Sequence, residues 1–88
     1  MLFRSAGADE RALLLQISDR LEGADGLDEN ELQGIPFDIA RAADMEPKDL
    51  FRLFYEVVLG QERGPRFGSF ARMVGIDNVR EMVRARLS

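Results

Sequence analysis

Apolar residues recur along this chain every three or four positions, the period of helices that bury one side. They nowhere alternate as in a half-buried strand, and there is no repeat or low-complexity tract. Leu13, Leu14, Ile17 and Leu21 form the first stripe, which predicts a helix from Asp9 to Glu22 stopped by Gly23. "GADGLDEN" reads as a turn, with Asp28 as the N-cap of a second helix. That helix turns Leu32, Ile35, Ile39 and Ala43 inward. Pro36 inside it predicts a kink or break near Gly34, or two short helices in place of one. Pro47, suited to a first helical position, opens a third helix that runs to Leu59 and ends at Gly60. Leu50, Phe51, Leu53, Phe54, Val57, Val58 and Leu59 leave it only a narrow polar stripe of Asp49, Arg52 and Glu56, as expected of a central helix. Ser69 is the expected cap of a short helix through Val74, closed by Gly75. Asp77 then caps a last helix with Val79, Met82, Val83 and Leu87 inward and Arg80, Arg84 and Arg86 outward. The prediction is an all-α fold, a compact cage or bundle of five or six short helices with links short enough to set neighbours side by side.

The length of 88 residues fits one small domain with a thin core. The chain lacks both cysteine and histidine. This removes disulfides, thiolate metal sites, the usual general base and every Ser-His or Cys-His arrangement, so neither a catalytic nor a metal residue is expected. No apolar run approaches a membrane span, and "MLFRSAGADE" lacks the apolar stretch of a signal peptide, so the cytoplasm is the expected location.

The net charge of −4 is unevenly spread. Residues 1–47 carry four basic and eleven acidic side chains, a net −7, whereas residues 48–88 carry eight basic and five acidic ones, a net +3. A polyanion is expected to meet the second half and avoid the first. The acidic clusters Asp9/Glu10 and Asp28/Glu29/Glu31 fall at helix starts, where the dipole favours carboxylates, and the spacing from Asp25 to Glu31 does not match a calcium loop.

Between the third helix and the next lies "GQERGPRFGSF". Its glycines lack a following Walker lysine and a preceding strand, so a nucleotide cradle is not indicated. Gly60, Gly64 and Gly68 permit backbone angles barred to other residues, while Pro65 fixes one dihedral and restricts Gly64 before it. Such a segment holds one shape. Arg63 and Arg66 then project from a fixed loop beside a helix start, a place suited to phosphates and base edges. The same residues fit a tight corner whose arginines bond the exposed carbonyls of the preceding helix. Tyr55 fits either a core or a contact role, and Phe67 either plugs the core or stacks on a base.

The stretch "LFRLFYEVVLGQERGPRFGSFARMVGIDNVREMVR" resembles the C-terminal end of class I lysyl-tRNA synthetases, whose all-α cage reads the anticodon of lysine tRNA. Phe51, Arg52, Tyr55, Leu59 and Gly60 match the family's aromatic-rich helix. Gly64, Pro65, Arg66, Gly68 and Phe70 match its loop, and Gly75 closes the small apolar stretch. "DIARAADMEPKDLF" resembles the helix and turn before that pattern, so the specific resemblance covers about residues 37 to 84, with the first 30 matching only as a generic helix. Gln61 and Ser69 depart from it where family members often carry lysine and proline. The resemblance implies an anticodon-recognition domain with lysine tRNA and the parent's catalytic domain as partners. ATP would bind in that catalytic domain, whose HIGH-like and KMSKS-like motifs are absent here, so no cofactor is expected in this segment. Arg52, Tyr55, Arg63, Arg66, Phe67 and Arg72 are the RNA-contact candidates, and Gly60, Gly64, Pro65 and Gly68 the residues that shape the loop. A helical protein-interaction module that kept the fold without RNA binding is the rival reading. It is motivated by the acidic first half and calls for an exposed apolar patch.

Overall fold

A computed structural model describes residues 6–87. Five α-helices carry the chain: α1 (Ala8–Leu21), α2 (Glu29–Ala42), α3 (Pro47–Phe54), α4 (Phe67–Val74) and α5 (Ile76–Leu87). A 3-10 turn (Ala24–Gly26) lies between α1 and α2, and α3 runs on as a wider π turn (Tyr55–Leu59). The all-α expectation holds, with no strand among the described residues.

Local sequence explains most helix ends. Gly23 at φ 75° turns the chain out of α1. Asp28 accepts from the Glu31 N–H (2.8 Å) while the Glu31 carboxylate accepts from the Asp28 N–H (3.0 Å), a reciprocal capping box. At the other end of α2 the Met45 N–H bonds the Ala40 carbonyl (2.9 Å) and the Asp44 N–H that of Arg41 (3.1 Å). This is a Schellman closure with Asp44 in the left-handed position at φ 56°. Gly60, at φ 71°, ends the π turn.

Several expectations are corrected. α2 is not broken at Gly34 or Pro36. A proline inside a helix costs about 3 kcal/mol, but Pro36 is buried beside Leu32, Ile35, Ile39 and Ala40 on one face, and each large apolar side chain so buried contributes roughly 1.5–3 kcal/mol. Ala43 is exposed at the C-cap, and Ala40 takes the inward place expected of it. Ser69 does not cap α4, which begins two residues earlier at Phe67. Asp77 does not cap α5; it lies within the first turn, where the Val79 N–H bonds the carbonyl of Gly75 (3.0 Å). Arg80 does not point freely outward. Its Nε donates to the Ser18 carbonyl (3.0 Å) and its guanidinium lies 3.7 Å from Glu22, so α5 supplies a partner for one of the last carbonyls of α1.

α1 packs on α5 and α2, and α2 packs on α4 and α3. Leu14, Ile17, Leu32, Leu50, Leu53, Phe54, Val79 and Val83 are among the fully enclosed core residues. An aromatic chain runs through this core: Phe37 meets Phe51 edge-on at 5.4 Å, and Phe67 meets Phe54 edge-on at 5.2 Å and lies 6.3 Å from Phe51.

Candidate nucleic-acid interface

The connection from Gly60 to Arg66 is fastened at both ends. At its start, the left-handed Gly60 turns the chain back over α3. The Tyr55 hydroxyl donates to the Pro65 carbonyl, and Gly64 lies so close to the Tyr55 ring that a Cβ there would stand 2.8 Å from Cδ1. Burial pushes the Tyr55 phenol above its ordinary pKa, which keeps the donor protonated. At the loop's end Phe67 is fully buried against Phe54. Gly68 then lies against α2, where a Cβ would stand 2.1 Å from the Glu29 carbonyl oxygen. Three atoms of α2 hold this junction. Gln33 Oε1 accepts from the Gly68 N–H (2.8 Å), Glu29 Oε1 from the Ser69 hydroxyl (2.8 Å), and Asn30 Oδ1 from the Arg66 guanidinium (3.2 Å).

Two of the three loop glycines therefore serve differently from expectation. Gly60 has the positive φ, whereas Gly64 and Gly68 do not; they are needed because a ring and a helix backbone pass where a Cβ would be. Pro65 contributes its carbonyl as well as its stiffness.

The structure gathers Arg52, Tyr55 and Arg63 around one hollow of about 410 Å³, walled also by Lys48, Phe51, Glu62 and Gly64. Lys48, Arg52 and Arg63 are exposed, so the hollow's rim carries three cations against the single carboxylate of Glu62. Sequence reasoning missed Lys48, although its spacing of four from Arg52 and seven from Tyr55 puts all three on one helix stripe. Arg66 and Arg72 do not line the hollow. Arg66 reaches Asn30, and Arg72 donates to the Asp25 carbonyl (3.0 Å), so both lean on the start of α2 and the turn before it. Of the two readings open for Phe67, the structure takes the core plug and leaves the base-contact role without support. Its ring is in the core, so it presents no face for a base to stack on. Tyr55 is 8% exposed, its ring covered by Gly64.

Large apolar side chains exposed among the described residues are Leu15 on α1 and Met73 on α4. Two side chains on different helices fall short of the contiguous patch that the protein-interaction reading calls for. No helix among the described residues is long and apolar enough to cross a membrane.

The described residues thus form an all-helical body with a cationic hollow beside a fastened arginine loop. Comparison with known proteins narrows this. The chain is 41% identical over 76 residues to the lysine–tRNA ligase of Methanopyrus kandleri, covering 85% of this chain and 14% of that one. It is 32% identical over 88 residues to the lysine–tRNA ligase of Rickettsia conorii and 33% identical over 88 residues to that of Roseobacter denitrificans, each covering 17% of the ligase. The chain is a segment related to lysine–tRNA ligases. The similarity runs through the first 30 residues as well, beyond the range the motifs alone indicated. The chain spans about one-sixth of the length of these relatives. No family model matches the chain. No solved structure matches it either.

Proposed function

We propose that this segment is the C-terminal anticodon-recognition domain of a class I lysine–tRNA ligase, acting in the cytoplasm as an RNA-binding part while a separate catalytic domain carries the ATP-dependent aminoacylation. The observation that carries the reading is the hollow. Lys48, Arg52 and Arg63 rim a recess floored by Phe51 and Tyr55, next to a loop that cannot change shape without breaking several bonds. Its size and lining suit one unpaired nucleotide, with cations for the phosphate and apolar carbon for the base. The acidic first half turns nucleic acid away from the opposite part of the sequence and so helps orient it.

The test is a titration of the domain against the anticodon stem-loop of lysine tRNA, with an anticodon-swapped stem-loop as control, at two salt concentrations. Preferential binding that weakens steeply with salt is expected. Arg52→Ala and Arg63→Ala should each weaken it by roughly tenfold and lower the salt slope by about one contact. Equal, salt-insensitive binding of both stem-loops overturns the reading.

A further inference from the structure

We infer that α2 contains the positioning residues of the arginine loop, with Gln33 as the principal one and Asn30 as its partner at Arg66. Three bonds from one stretch of α2 meet the chain at three points within residues 66–69: Asn30 to Arg66, Gln33 to Gly68 and Glu29 to Ser69. The central bond matters most. Arg66, the residue preceding α4, offers no side-chain cap to that helix. The first N–H groups of any helix need partners, and Gln33 meets that need for Gly68 from 35 residues away. Because Gly68 has no Cβ, its backbone comes up against the carbonyl of Glu29, and the Gln33 amide arrives at bonding distance. With Tyr55 holding Pro65 from the other side, only Arg66 and the buried Phe67 lie between two fixed points. Its guanidinium is then aimed by Asn30.

The consequence for binding rests on the RNA-reading proposal; the consequence for the loop does not. Two measurements therefore separate them. In 15N-resolved hydrogen exchange, the Gly68 amide should be protected in the parent chain and exchange at least about tenfold faster in Gln33→Leu, which removes the acceptor at similar volume. Gln33→Glu keeps an acceptor oxygen and should restore the protection. Core amides of α1 and α5 should stay protected throughout. Unchanged Gly68 protection in Gln33→Leu overturns the inference outright. In the stem-loop titration, Gln33→Leu should lower preference for the lysine stem-loop about tenfold while binding of the swapped loop holds, and Gln33→Glu should recover it. Asn30→Ala, at an exposed position, should lower that preference with no change in melting temperature, so the case does not hang on one variant's folding. Faster Gly68 exchange with full preference retained overturns the positioning role. A parent chain that prefers neither stem-loop sinks the RNA reading and leaves the exchange result to decide the clamp.

Discussion

Replacing Gly68 by alanine sets two physical effects against each other, and the structure says which wins. Helix propensity favours alanine over glycine by about 1 kcal/mol. Sterics opposes it: the new Cβ would stand 2.1 Å from the Glu29 carbonyl oxygen, 2.9 Å from its carbon and 3.3 Å from the Gln33 nitrogen. All three are backbone atoms of α2, so no side chain can swing aside. Relief to an ordinary contact requires α4 to retreat by roughly 1 Å, which lengthens the Gln33 bond to the Gly68 N–H and draws Phe67 from its place against Phe54. Overpacking in a tight interior costs about 1–3 kcal/mol, and loss of a helix cap about 1 kcal/mol more. After the propensity gain is set against these, a net destabilisation of about 2 kcal/mol follows, a large share of the roughly 5–15 kcal/mol that holds a domain together. In thermal unfolding followed by circular dichroism this is a fall in Tm of about 8–16 °C. Gly34→Ala is the control: also within a helix, it would place its Cβ in open space. It should stabilise by about 0.5–1 kcal/mol. If Gly68→Ala melts at or above the parent temperature, the close α2–α4 approach is not what demands glycine there.

Other perturbations test separate parts. Tyr55→Phe should cost about 1 kcal/mol for the lost bond to Pro65. Because the phenol's pKa is raised in the folded state, its contribution is complete below the ordinary value near 10 and is lost as pH rises through the folded pKa. Urea unfolding at stepped alkaline pH should therefore show a stability decline that is shallower in Tyr55→Phe; equal slopes would contradict this. Asp44→Gly should raise Tm, worth about 0.5–1 kcal/mol, since only the left-handed backbone holds that residue. The Ser18 hydroxyl is buried without a hydrogen-bond partner, so Ser18→Ala should be neutral or stabilise by up to about 1 kcal/mol. A loss larger than that in denaturant melts would mean the hydroxyl has a bond.

What could be read in the sequence was what depends on near neighbours. Asp28 announced the N-cap of α2; Gly23 and Gly60 announced helix stops; and the apolar stripes of α1, α2, α3 and α5 together found most of the core. What escaped depends on partners far along the chain. Pro36 reads as a break until the surface it covers is known. Ser69 and Asp77 read as caps because short polar residues usually are; instead Gln33 caps α4 and Ser69 bonds Glu29, 40 residues away. Arg80 reads as surface charge and docks on Ser18, 62 residues away. For the candidate site, the stiffness of the loop was legible, as was the grouping of Arg52 with Tyr55 one turn apart. The inward turn of Phe67 was not, because an aromatic between arginine and glycine carries no periodicity to reveal its side.

Tyr55 is the only tyrosine in the chain, and there is no tryptophan. The one strong intrinsic fluorophore of this protein thus sits on the latch that holds Pro65 and under the glycine that covers it. An unlabelled sample therefore reports optically on this latch, and stopped-flow mixing with RNA or denaturant can follow the latch in time without an added probe.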